Sequence, residues 1–261
     1  MICERLLPGT PGWRLWGHQH LQRYQFTRPW VESRRVLDLA CGVGYGTYCL
    51  SQFGAACIGV DIDAESIAYA RRTYVRPGLE YFSADALEWS PADGRPFNTI
   101  VSFETIEHLA APTAFVARLA HHLEPRGILL ISAPNALQFS RAPVPIRNPY
   151  HLSEPDHATL CAWLAPHFDI LSEWEQSTIG PDEGAHAALD VRVRNLERHG
   201  GMRLWGVFER ALRQLVGRPL PAIGAAGACP SRLVSFTDIW PLLPERRDHA
   251  DVFLFVCRKR V

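Results

Sequence analysis

Apolar residues fall along this chain in short continuous runs separated by amphipathic stretches, the rhythm of buried parallel strands alternating with covering helices. Residues 36–40 (VLDLA), a second run ending at Asp61, residues 79–83 (LEYFS), 97–103 (FNTIVSF) and 128–133 (ILLISA) read as five strands. Between them, residues 64–74 and 114–123 set apolar side chains at helical spacing. Arg71 and Arg72 close the first of these helices, where the helix dipole favours cations. Residues 124–127 (EPRG) read as a turn. Ahead of the first strand, residues 13–31 carry aromatic and polar groups at near-helical spacing up to Pro29, suiting a helix that covers an edge of the sheet. Beyond the fifth strand, the proline-rich residues 141–151 (RAPVPIRNPYH) make a loop rather than a central strand. A helix over 156–166, with Ser153 or Asp156 as its cap, a sixth strand over 168–175 (FDILSEWE) and a last strand over 251–257 (DVFLFVC) follow.

Residues 36–63 are the part the rest is arranged around. A strand running into Gly42, Gly44 and Gly46 brings bare backbone close to a ligand, and an acid about 20 residues later can take two ribose hydroxyls. Asp61 is that acid. A dinucleotide fingerprint has its third glycine three residues after the second; here the spacing is GxGxG, with bulky Tyr45 inside the loop. That favours a nucleoside ligand without a diphosphate over a nicotinamide or flavin.

With 261 residues and 47% apolar content, one large α/β domain with an insertion can bury a full core. Lys+Arg and Asp+Glu both number 27, so no overall field draws the chain to nucleic acid or an acidic membrane. Seven scattered cysteines without a CxxC pair suggest small buried hydrophobes, with neither a metal site nor a disulfide framework. The start, MICERLLPGTPGW, lacks a basic segment followed by a long apolar run, and no run approaches the ~20 residues that span a bilayer. The expectation is a cytoplasmic protein.

Taken together, HQHLQRY, VLDLACGVGYGT, IGVDID, SADA, FNTIVSFETIEHL, LEPRGILLISAPN and NPYHLSEPDHATLCAWLAPHF, in this order, resemble the class I S-adenosylmethionine-dependent methyltransferases, in a branch often associated with glycans or secondary metabolites. The resemblance runs from about residue 18 to 176. It implies a Rossmann-like, seven-stranded, mostly parallel sheet with helices on both faces and an antiparallel last strand. It also implies S-adenosyl-L-methionine as cofactor. Contacts are then expected from Ala40, Gly42, Gly44, Asp61, Ile62, Asp85, Ala86 and Phe103, with Asp85 accepting from the adenine amine or simply capping a turn. Arg23 or Tyr24 would meet the cofactor's carboxylate. One departure is Asn98, where such enzymes usually carry Asp.

The implied organisation is a covering helix region over 1–30, a cofactor-binding domain over 31–177 and 246–261, and a partly helical insertion over 178–245. Within the insertion, Met202, Trp205, Phe208, Leu212 and Leu215 recur at helical spacing, as in a covering helix, a lid over the acceptor or a homodimer surface. Methyl transfer to an alcohol needs alignment, exclusion of water and loss of the hydroxyl proton. His108, after the fourth strand, and His151, after the fifth, are the candidate bases. Glu104 stands nearest the expected methyl position, and Arg147 and Asn148 could orient a polar acceptor. The function expected is O-methylation of a small molecule such as a sugar, a glycan terminus or a secondary metabolite. The alternatives are N-methylation of a small amine and a non-catalytic assembly subunit.

Overall fold

The computed structural model describes residues 6–54, 56–137, 150–176 and 239–261. The helix expected over 202–216, the rest of the insertion up to residue 238, Arg147, Asn148, Cys3 and Cys229 lie outside these residues.

In chain order the elements are α1 (Pro11–Phe26), α2 (Arg28–Val31), β1 (Arg35–Leu39), α3 (Tyr45–Ser51), β2 (Ala56–Asp61), α4 (Ala64–Thr73), β3 (Leu79–Ser83) and β4 (Phe97–Phe103). They continue with α5 (Pro112–His122), β5 (Leu123–Pro134), α6 (His157–Leu164), β6 (Phe168–Gln176), β7 (Ile239–Pro241) and β8 (Val252–Lys259). The sheet order is β3-β2-β1-β4-β5-β8-β6-β7. β1 to β5 pair in parallel, and β8 lies antiparallel between β5 and β6. This is the Rossmann-like arrangement with a reversed last strand. The sheet has eight strands instead of seven, because Ile239–Pro241 pairs antiparallel with Trp174–Gln176 at its edge. Three residues carry too little periodicity to stand out in a sequence.

Alternation along the strands divides the interior into two cores. Val36, Val101, Leu130, Leu254 and Val256 face one side, under α1 and α3. Leu37, Leu39, Ile100, Leu129, Ile131, Phe253 and Phe255 face the other, with Phe115 and Leu119 of α5 and Leu160 and Leu164 of α6. Both faces of β8 are therefore buried, which explains its uninterrupted apolar run. The N-terminal stretch does more than cover an edge. Trp13, Leu21 and Tyr24 are buried in the first core, against Tyr45 of α3. The helix breaks at Thr27, with Pro29 in the first turn of α2.

The expected turn at 124–127 is absorbed into β5. The strand starts at Leu123, opposite Phe97, and the next partner of β4 is Ile128, opposite Thr99, so the intervening residues bulge out. Arg126 there has φ 65°. At the same end of the sheet Asn98 accepts from the Arg35 N–H at 2.9 Å and donates to Glu124 at 2.7 Å, a structural tie at the start of β4. Cys41, Cys49, Cys57 and Cys257 are buried thiols without disulfides, in keeping with their reading as small hydrophobes. No helix among the described residues is long and apolar enough to cross a membrane.

Because Phe255 is fully buried in β8, between β5 and β6, Phe255→Ala should cost about 3–5 kcal/mol. The check is the midpoint of a urea unfolding curve at unchanged slope.

Candidate active site

The carboxyl ends of β1, β2, β3 and β4 open on one edge of the sheet, and the described candidate site residues outside α1 sit on that edge. Past Leu39 the backbone turns left-handed three times, at Ala40 (φ 67°), Gly42 (55°) and Gly44 (86°). The two glycines serve different ends. A Cβ on Gly44 would stand 2.6 Å from the Ala70 methyl, so this residue lets α4 and β3 approach the loop. A Cβ on Gly42 would meet nothing within 4 Å, so here the backbone borders open space.

The loop is fixed by the end of β2. The Asp61 carboxylate accepts the Gly42 N–H at 2.8 Å through Oδ2 and the Asp63 N–H at 2.9 Å through Oδ1. These two backbone donors fix the orientation of the carboxylate. Ile62, the next residue, is 66% exposed, a large apolar side chain laid beside that acid. Register places Asp61 level with Ser83 at the end of β3, two residues before Asp85. Asp85 is exposed and uses Oδ1 to cap a short turn at Leu87 N–H, 2.8 Å away. Ala86 lies half-buried beside it.

Beneath the loop lies a buried polar group that the sequence pattern did not single out. Asp38, 1% exposed in β1, accepts from Thr47 Oγ1 at 2.7 Å and from the Tyr24 hydroxyl at 3.3 Å. Burial pushes its carboxyl up to about 7, against the two hydrogen bonds that pull it down and with a smaller push from Asp61. The only signal was an acid inside an otherwise apolar strand, VLDLA. Tyr24 therefore points its hydroxyl down at Asp38, while its ring stands edge to face with Phe103, 5.2 Å between centroids. Arg23 is also buried, donating from Nη1 to Gln176. Tyr45, the bulky residue of the loop, is tucked under α1 with its hydroxyl 3.0 Å from His20 Nδ1.

At the end of β4 the chain turns sharply through Glu104, φ 50°, into a short 3-10 turn, Ile106–His108. Ser132 Oγ donates to Glu104 Oε1 at 2.6 Å, holding the carboxylate over β5. The segment 150–154 folds back onto this turn, since Leu152 and Ser153 both donate their N–H to the Glu107 carbonyl, at 2.8 and 3.0 Å. That fold-back brings His108 and His151 together edge to face, 4.7 Å apart. His108 Nδ1 lies 3.1 Å from the Tyr150 carbonyl, and His151 Nδ1 pairs with Glu154. Glu107, 1% exposed, sits against them with Oε1 3.8 Å from His108 Nε2. Its Oε2 finds no hydrogen-bond partner among the described residues. Burial, and then the charge of Glu104, hold its carboxyl well above the usual range. The structure thus gathers both predicted histidines and Glu104 at one edge, and adds Glu107.

Residues 18–175 match the family described as a methyltransferase domain. A probable S-adenosylmethionine-dependent methyltransferase of Mycolicibacterium smegmatis is 30% identical over 80% of this chain and 77% of its own length. One of Mycobacterium tuberculosis is 32% identical over 84% of this chain and 74% of its own. Among solved structures, the [4+2]-cyclase SpnF superposes with a TM-score of 0.60 at 17% identity, covering 98% of this chain and 87% of that one. That likeness concerns the fold alone.

Asp38 gives the site a pH signature. Its folded-state value, about 7, is raised from an ordinary 3.8, so its contribution to stability is fully present below about pH 4 and is lost as pH rises through about 7. Asp38→Asn keeps the acceptor oxygen and removes the titration. The unfolding free energy of the wild type minus that of the variant should fall across this interval and level off above about pH 8, as read by urea midpoints at each pH.

Proposed function

The chain belongs to the S-adenosylmethionine-dependent methyltransferases, and on that premise we propose that it methylates a hydroxyl oxygen of a small molecule such as a sugar, a glycan terminus or a secondary metabolite. The bound cofactor supplies an electrophilic methyl group; the protein has to hold it, align the acceptor and relieve the acceptor of its proton.

The residues present fit the cofactor. Gly42 offers backbone on an open side, and Asp61 is already oriented to take ribose hydroxyls. Ile62 would supply an apolar surface for the adenine, with Asp85 and Ala86 at its rim and the other Asp85 oxygen accepting from the exocyclic amine. Ala40, where the loop begins, and Phe103, at the end of β4, would border the middle of the cofactor. Arg23 brings a buried positive charge near the amino-acid end of the cofactor, with Tyr24 as its packing neighbour rather than a direct ligand.

The observation that carries oxygen as the acceptor is the pairing of His108 and His151 beside Glu104 and Glu107. Each neutral imidazole holds its proton at Nδ1, against the Tyr150 carbonyl and the Glu154 carboxylate, so each keeps its lone pair at Nε2. An alcohol must give up a proton, and such a cluster receives it; an amine that arrives neutral needs no such aid. Glu104, held by Ser132, is placed to accept a hydrogen bond from the acceptor.

Replacing both histidines, His108→Ala with His151→Ala, should lower kcat on hydroxylated acceptors by roughly 10²–10⁴-fold, while the affinity for S-adenosylmethionine changes by less than about 2-fold. Transfer of a labelled methyl group from the cofactor to a panel of hydroxylated and amine acceptors measures this. Undiminished transfer in the double variant, or transfer confined to amines, would contradict oxygen methylation.

A further inference from the structure

The same four residues pose a question that proton transfer alone does not answer. Glu107 is buried, its Oε2 has no hydrogen-bond partner among the described residues, and its Oε1 lies 3.8 Å from His108 Nε2, with a donor atom of His151 within 4.8 Å of the pair. Leaving a buried carboxylate oxygen unpaired is costly, and burial among apolar groups would ordinarily be met by an added donor or a cation. We propose that Glu107, His108 and His151 form a site for one divalent first-row transition ion, such as zinc, manganese or iron, at the acceptor end of the groove.

Three observations converge on it. One ligand atom from each of the three residues lies within 4.8 Å of the other two. The Glu107–His108 separation of 3.8 Å exceeds by only a few tenths of an ångström the ~3.0–3.4 Å between neighbouring ligands around an ion bonded at about 2.1 Å. Both histidines also have the outer partners that metal-bound imidazoles have. Nδ1–H of His108 donates to a backbone carbonyl and Nδ1–H of His151 to the carboxylate of Glu154, which fixes each ring's tautomer, and His108 Nε2 faces Glu107. Two nitrogens and one carboxylate suit a borderline divalent ion better than magnesium or calcium and leave positions open for a further oxygen ligand. The cysteine pattern gave no hint of such a site, because the set contains no cysteine.

An ion there would bind the acceptor's hydroxyl oxygen and acidify it, the proton passing to solvent, so that His108 and His151 would serve as ligands in place of the proton-accepting role given them above. The purpose of the ion rests on the oxygen-methylation reading; its binding does not, and the test reads binding directly. Untagged protein stripped with a chelator is titrated with cobalt(II), whose visible absorption reports nitrogen and oxygen coordination, and affinity for S-adenosylmethionine is measured in parallel by calorimetry. The expected result is one equivalent of cobalt at micromolar affinity or tighter. Glu107→Gln and His151→Ala should lower that affinity by at least 10-fold, and Glu154→Ala, which removes only the outer partner, by about 10-fold. Cofactor affinity, unchanged in these variants, certifies that they are folded. His157→Ala is the control, because His157, Cys161 and Glu173 are the other described group with donor atoms this close. Loss of cobalt binding in His157→Ala with retention in His151→Ala would overturn the assignment, as would the absence of stoichiometric binding in a wild type that still binds the cofactor.

Discussion

The hydrogen bond from the Gly42 N–H to the Asp61 carboxylate is the interaction on which the rest of the site depends. It ties the loop after the first strand to the end of the second, across a backbone that turns left-handed at Ala40, Gly42 and Gly44. A loop of that shape has few ways to satisfy its own N–H groups, and the acid at the neighbouring strand end supplies the acceptor. The same carboxylate also accepts the Asp63 N–H, so its orientation is fixed at both oxygens. In the proposed function, fold and ligand recognition share this one side chain.

Around that tie the protein concentrates groups that a core would ordinarily exclude. Asp38, Arg23 and Glu107 are all buried within the carboxyl-edge region or just beneath it, and each is met by a specific partner or a specific deficit: Thr47 and Tyr24 for Asp38, Gln176 for Arg23, and for Glu107 an oxygen with no partner among the described residues. Such groups oppose folding unless they are paired. They are tolerated because two apolar layers, one on each face of the sheet, clamp the strands from which they project. The N-terminal helix belongs to this scheme. Trp13 and Tyr24 seal the loop from one side, and Arg23 reaches Gln176 at the end of β6, so that the segment before the fold proper becomes part of the core beneath the loop.

Much of this was legible in the sequence, for identifiable reasons. Continuous apolar runs such as 97–103 and 251–257 named buried strands because both of their faces are covered, and the glycine spacing with Asp61 singled out the loop and the strand end that one hydrogen bond ties together. The reversal of the last strand came from resemblance, since alternation is blind to direction. The three-residue strand 239–241 was invisible because pairing with β6, not local pattern, makes it a strand. Asp38 was missed because its environment is set by Tyr24 and Thr47, which lie 14 and 9 residues away in the chain. His108 and His151 each stood out as bases, but their contact depends on residues 150–154 folding back onto Glu107, a long-range event that no window of sequence contains.

The central claim is that the glycine loop and Asp61 hold S-adenosylmethionine. Calorimetric titration of the purified protein with S-adenosylmethionine and with its demethylated product, for the wild type and for Asp61→Ala, tests it most directly. The account predicts micromolar binding of both ligands by the wild type and a loss of about 10-fold or more in the variant, the scale of a hydrogen bond to a charged group. Failure of the wild type to bind either ligand, or binding that Asp61→Ala leaves unchanged, would contradict it.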